Sequence, residues 1–195
     1  MRGIRNPAGV SVLITALLVG LTGLTAQEIQ VPIGVQVPIF IKILAFDRSL
    51  RKKAGDEILI GVLYQHKYMR SSLAKDEIIS ELKKLGHLRV QGLPVRYTVI
   101  DFIDGRSLER EIDAKGIDVL YVTPLRAVDP GEIRAVTRKK KVLTFSVIPE
   151  YVEAGLSVGL SVRGEKPRIV VNLRAAEAEG AAFSSRLLRL AQTIE

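Results

Sequence analysis

The chain holds only two histidines, His66 and His87, and no cysteine. The histidines share no ligand spacing with each other or with a carboxylate. Both follow regular elements and are expected in solvent-facing loops. The lack of thiols excludes Cys nucleophiles, Cys-zinc sites and iron–sulfur clusters. No glycine-rich phosphate loop, G-x-S-x-G elbow or H-E-x-x-H helix occurs. Asp101 and Asp104 can share a loop, but turn-forming and capping suit them better than acid–base work. No catalytic residue, metal site or cofactor is therefore assigned, and the chain is not expected to be an enzyme. What remains is a set of polar residues that follow apolar runs: Tyr64, Gln65, Arg106, Thr123, Arg126 and Ser146. Beyond the carboxyl ends of parallel strands, such positions are where open α/β sheets bind ligands. Tyr64 offers a stacking ring. Arg106 or Arg126 can meet a negative group, while Gln65, Thr123 and Ser146 offer hydrogen bonds. Taken singly, each also suits an ordinary loop.

The elements that must position these residues are read from hydrophobic period. Ile39, Ile43, Phe46 and Leu50 recur at helical spacing, and Phe40 and Leu44 widen the stripe, which predicts a helix over 35–50. Lys42, Asp47 and Arg51 lie off that stripe. The continuous apolar run 58–63 predicts a strand buried on both faces. Ser71 or Ser72 can cap a second helix carrying Leu73, Ile78, Ile79, Leu82 and Leu85. A strand over 94–102 follows, then a short helix capped by Ser107, with Lys115 and Gly116 at its exit. Residues 117–122 predict another strand. Asp129, Pro130 and Glu132 open a helix in N-cap, first-turn and capping-box positions. That helix ends in a basic run, 138–141, which reads as a solvated last turn rather than a nucleic-acid patch. A strand over 142–147 completes the alternation.

Repeated strand–helix pairs argue a parallel sheet covered by helices. The rhythm then changes: 155–163 and 167–173, joined by Gly164-Glu165-Lys166, read as a hairpin. Two helices follow, capped by Asn172 and Ser184. The expected fold class is thus α/β: a single domain over 27–195, with a mostly parallel central sheet flanked by helices, a late β-hairpin and C-terminal helices.

Ahead of this domain, residues 1–26 read as a cleavable secretory signal. Arg2 and Arg5 form a positive n-region, 10–21 is an uncharged apolar stretch, and cleavage is expected near Ala26. The stretch is shorter than the roughly 20 residues of a spanning helix. Two of the 29 Lys and Arg lie in this leader, so the remainder carries 27 basic against 21 acidic residues, a formal charge of +6. An excess of that size is compatible with an acidic partner or a membrane surface, but it suits an ordinary solvated surface better.

The most specific pattern lies in the final third. Gly155-Leu156-Ser157-Val158-Gly159-Leu160 precedes Pro167-Arg168-Ile169-Val170-Val171-Asn172, then Ala175-Ala176, Gly180 and Phe183-Ser184-Ser185-Arg186-Leu187-Leu188-Arg189-Leu190-Ala191. This resembles the C-terminal pattern of the YfiR/HmsC-like family. Gln36, Lys42, Phe46 and Asp47 ahead of the first strand fit as well. The chain departs from the family in having no Trp near the end of its first helix and no disulfide-forming cysteines. The resemblance implies a periplasmic α/β domain, often dimeric and without enzymatic activity, that restrains a membrane-bound sensor or diguanylate cyclase through its outer part. Asn172, Ser184, Ser185, Leu187 and Leu188 read as structural members of the pattern, with Asn172 and Ser184 satisfying helix N-termini. The leading expectation is a regulator of that kind, with a small ligand and a homodimer both compatible with it and nucleic acid excluded. The alternative is a single-lobe periplasmic solute-binding protein serving a transporter or receptor. A hydrolase has no motif behind it.

Overall fold

The computed structural model describes residues 29–195, so the expected leader and its cleavage near Ala26 lie outside the described residues. In chain order the elements are α1 (Ile33–Leu44), α2 (Leu50–Ala54), β1 (Ile58–Tyr64), α3 (Met69–Lys84), β2 (Arg89–Val90), β3 (Leu93–Asp101), α4 (Gly105–Lys115), β4 (Val119–Val122), α5 (Pro130–Lys140), β5 (Leu143–Ser146), α6 (Glu150–Glu153), β6 (Val158–Arg163), β7 (Lys166–Asn172), α7 (Leu173–Ala178), α8 (Ser185–Leu188) and β8 (Gln192–Ile194). The strands form one sheet in the order β2-β3-β1-β4-β5-β6-β7-β8. β3, β1, β4, β5 and β6 run parallel, β7 returns antiparallel to β6 as the expected hairpin, and β8 lies parallel to β7. This is the α/β architecture the alternating pattern calls for.

Burial explains the apolar runs. Every residue of β4 and β5 is buried, as strands covered on both faces require. α1 packs on α3, and α4 on α5. Phe40 of α1 stacks on Phe145 at 4.7 Å between centroids and meets Tyr121 edge-on at 4.9 Å. Phe145 thus faces α1, and its neighbour Thr144 on the pleat turns to the α5 side.

Gly61 in β1 shows how close this packing is. A Cβ there would stand 2.9 Å from Ile100 Cδ1 and 3.2 Å from Ile117 Cγ2. Gly61→Ala will therefore overpack the β1–β3 face and destabilise the fold by about 2 kcal/mol, measured as a drop in the urea midpoint at constant slope.

Several expectations need correction. The single helix over 35–50 is two helices, because the chain leaves helical geometry after Leu44 to pair Asp47 with Phe183 in an isolated antiparallel bridge. Asp47, expected on the solvent side, is fully buried. Neither Ser71 nor Ser72 caps α3: Tyr68 holds that position, and Ser71 is buried in the first turn. Leu73, placed on the apolar stripe of that helix, is 60 % exposed. α4 is capped by Asp104, not Ser107; Asp104 Oδ1 accepts from Ser107 N at 2.6 Å, and Ser107 Oγ accepts from Asp104 N at 3.1 Å. The last helix stops at Leu188, and the chain ends in β8 instead.

Candidate functional site

The chain passes from β1 to β3 on one side and then to β4 on the other, so the sheet changes direction at β1. The carboxyl ends of β1 and β4 flank that switch point, the place where open sheets hold ligands. Here the crevice is bridged from within. Gln65 N donates to Ser71 Oγ at 2.8 Å, Ser71 Oγ lies 2.7 Å from Thr123 Oγ1, and Thr123 Oγ1 donates to the Leu63 carbonyl at 2.9 Å. With one proton per hydroxyl, the chain has a single direction, from Gln65 to Leu63, in which Ser71 donates to Thr123. Gln65 Oε1 accepts from Arg126 N at 2.8 Å and ties the two loops together.

Tyr64, Gln65, Thr123 and Arg126 therefore do meet around one strand end, but much of their polar capacity is used. Lys75 Nζ sits 5.1 Å from the Tyr64 ring centroid, so one face of that ring already has a cation on it. Thr123 and Ser146 are fully buried, and Ser146 Oγ accepts from Ile148 N at 3.0 Å. The Arg126 side chain is exposed, as is Arg106 in the first turn of α4, which bonds none of the others. The open volume lies on the β1–β3 side instead. It is a cleft of about 250 Å3 lined by Gln65, His66, Lys67, Asp101, Phe102 and Ile103. Asp101 Oδ1 accepts from His66 N at 2.9 Å and fixes one wall. Both histidines are exposed. Among the described residues, no cluster of His, Asp and Glu has the makings of a metal site.

A second feature lies on the α1 side of the sheet. Ile39 and Ile43 of α1, Phe46 of the α1–α2 link, Leu160 and Ile169 of the hairpin and Leu187 of α8 line an apolar groove of about 280 Å3. Leu160 and Ile169 are direct cross-strand partners, so the pleat points both to this face. Leu190 borders the groove at 65 % exposure. Lys42 stands in the lining, and the Arg186 guanidinium lies 6.0 Å from the Phe46 ring centroid. The groove thus has an apolar floor with cations at its edge.

The C-terminal pattern residues hold this wall in place. Asn172 caps α7, with Oδ1 accepting from Ala175 N at 3.0 Å, and its amide donates to the Val152 carbonyl at 3.2 Å. Leu187 is buried, Leu188 half-buried and Ser185 exposed. Ser184 occupies the cap position of α8 but makes no capping bond, and its buried hydroxyl has no partner; its backbone N donates to the Phe46 carbonyl at 3.0 Å instead. That tie to the α1–α2 link takes the place of the expected cap.

Two buried carboxylates escape a sequence reading. Asp47 Oδ1 accepts from Ser49 N, Ser49 Oγ and Ala182 N at 3.0, 2.7 and 2.8 Å. Glu179, fully buried just after α7, is held by hydroxyls. Thr137 Oγ1 donates to Oε1 at 2.7 Å, Thr144 N to Oε2 at 2.7 Å, Thr144 Oγ1 spans both oxygens, and Ser157 Oγ makes a short bond to Oε2. Burial pushes the Glu179 carboxyl up to about 7, against the opposing pull of these donors. The one available signal was three hydroxyl residues at positions the apolar pattern buries.

A family model described as YfiR/HmsC-like matches residues 65–192. A search of curated proteins found no match. Among solved structures, a conserved domain protein from Vibrio cholerae superposes with a TM-score of 0.57 at 17 % identity, over 84 % of this chain and 60 % of its own. A substrate binding protein with adhesive properties from Clostridium difficile, in its ligand-free open form, gives 0.51 at 18 % identity, over 75 % of this chain and 57 % of its own. A domain from Streptococcus pneumonia in complex with L-Trp gives 0.51 at 14 % identity, over 78 % and 60 %. The chain thus spans less than two thirds of each of these proteins, and the likeness is one of fold.

Proposed function

Because the chain belongs to the YfiR/HmsC-like family, its match running over residues 65–192, we propose that it is a non-enzymatic regulator working in the periplasm on the outer part of a membrane sensor or diguanylate cyclase. The observation that carries this reading is the apolar groove, with exposed Leu190 beside it and Lys42 and Arg186 at its edge. Its occupant, by charge complementarity, is an amphipathic segment of that partner, apolar on one face and flanked by carboxylates. Binding one state of the partner better than the other would bias its output by the difference in affinity. Among the described residues no helix is long and apolar enough to cross a membrane.

A photo-crosslinking side chain at position 190 tests this in intact cells. The expected product joins the chain to one membrane protein carrying a cyclase or kinase output. Ile39→Asp, which puts a charge in the groove, should reduce that product at least tenfold and shift cyclic di-GMP or kinase output as deletion of the gene does. Cross-links to a second copy alone, or to lipid alone, with output unchanged on deletion, would overturn the reading.

The alternative, capture of a solute for a transporter or receptor, is favoured by one observation, the cleft of about 250 Å3 at the ends of β1 and β3. A large thermal stabilisation by a metabolite, lost on Asp101→Ala, would favour it over the groove. The small ligand of the regulatory reading would use the same cleft, and a homodimer would show as a groove cross-link between copies.

A further inference from the structure

The segment that follows α7 forms one wall of the groove, and a single buried side chain fastens its start. Glu179 reaches α5 through Thr137, β5 through Thr144 and the approach to β6 through Ser157. Three residues on, Ala182 N bonds Asp47 Oδ1 at 2.8 Å and the Ala182 carbonyl accepts from Arg48 N at 3.0 Å. Leu187 and Leu190 of the groove come next along the chain. We propose that the Glu179 carboxyl in its hydroxyl cage is a proton-operated fastener, closed when protonated and loosened when ionised, that sets the order of the 179–191 segment and so the readiness of the groove to bind.

The chemistry of the cage supports this. Hydroxyls turn freely, so the cage can serve either form. Against a carboxylate all three donate; against a carboxylic acid one of them accepts the new proton instead. No basic side chain among the described residues donates to either carboxylate oxygen. The charged groups that face the site from its neighbours are committed elsewhere. Lys53 of α2 gives its ammonium to the Glu179 and Lys141 carbonyls at 3.4 Å each and lies 4.0 Å from Asp47 Oδ2. Lys141, at the end of α5, bonds the Ala178 carbonyl at 2.9 Å. Arg134 and Arg138 of α5 bond the Ala154 and Gly155 carbonyls, and Asp118 ahead of β4 accepts from Leu59 N at 2.9 Å. An ionised Glu179 therefore has hydrogen bonds but no directly bonded counter-charge, and opening of the segment lets water supply the remaining solvation. Burial places the titration near neutral pH, within the range an exported protein meets.

The test is amide hydrogen exchange of Ala181, Ala182 and Ser184 in the isolated chain, corrected for the intrinsic pH dependence. Protection should fall at least about tenfold between roughly pH 5.5 and pH 8. In Glu179→Gln it should stay flat. In Ser157→Ala, which removes a donor to the carboxylate, the fall should move to higher pH, and the 13C shift of the Glu179 carboxyl should move with it. Equal pH profiles in wild type and Glu179→Gln, or an unmoved midpoint in Ser157→Ala, would overturn the fastener. Its consequence for binding rests on the groove reading of the proposed function, but the exchange measurement does not. A pH-linked segment beside a groove that cross-links nothing at any pH would sink the docking reading and leave the fastener standing.

Discussion

Raising the pH from about 5 to about 8 should lower the unfolding free energy of the protein by on the order of 3 kcal/mol, and Glu179→Gln should remove that loss. Glu179 is the source because its carboxyl, near 4.5 when solvated, is raised to about 7 in the fold, chiefly by burial. A carboxyl with a raised folded value holds its proton more tightly folded than unfolded. Its contribution is present in full below the unfolded value and is lost as pH climbs to the folded one. Above about 7 the loss is complete. Asp118, also raised by burial, acts in the same direction. Asp104 and Glu109 are lowered by hydrogen bonds from Ser107 and from Lys139 and Lys140, so their effects fall below the usual carboxylate range and outside this window. Urea unfolding at four pH values in wild type and Glu179→Gln measures the difference directly, since every other titrating group is common to both. Parallel curves would show that the cage holds the carboxylate without cost.

The parts of this fold that were legible in the sequence are those decided within a few residues. Asp129 accepts from Gly131 N at 2.8 Å, with Pro130 in the first turn, and so opens α5 as its local pattern requires. The run into Asn172 gives both the hairpin strand and the cap of α7. What escaped depends on partners distant in sequence. Asp47 reads as a polar residue off a helical stripe until Ala182, 135 residues away, supplies its donor. Glu179 reads as a solvent charge in an Ala-Glu-Ala-Glu stretch, because nothing local says that Thr137, Thr144 and Ser157 converge on it. β8 escaped for the opposite reason: three residues carry no usable period, and the strand exists only because β7 offers an edge. At the strand ends, the residue types were readable but their use was not. Thr123 is spoken for by Ser71 and Leu63, a pairing set by the β1–β4 register.

Phe40→Ala should cost about 4 kcal/mol in the same unfolding measurement, well above the roughly 1 kcal/mol expected of Phe40→Leu. The ring is 1 % exposed and packs between Phe145 and Tyr121, which are each 2 % exposed. Truncation removes the transfer free energy of a full aromatic side chain, the dispersion contacts of the stack and its edge-on partner, and leaves a cavity that two rings anchored on β4 and β5 cannot close. Leucine refills much of that volume, so the gap between the two variants measures how rigid the site is. The effect should also travel. Phe40 is buried against the sheet from α1, while Ile39 and Ile43 of the same helix line the groove and Phe46 follows just past its end. A helix that loses its anchor in the core loses the fixed direction of its outer face. Phe40→Ala should therefore weaken the cross-link at position 190 at protein concentrations where the fold is still intact, whereas Ile112→Ala, on α4, should destabilise without touching the cross-link. If Phe40→Ala left the groove's binding unchanged at a loss of stability near 4 kcal/mol, α1 would be a passive cover for the sheet and the hairpin alone would carry the partner.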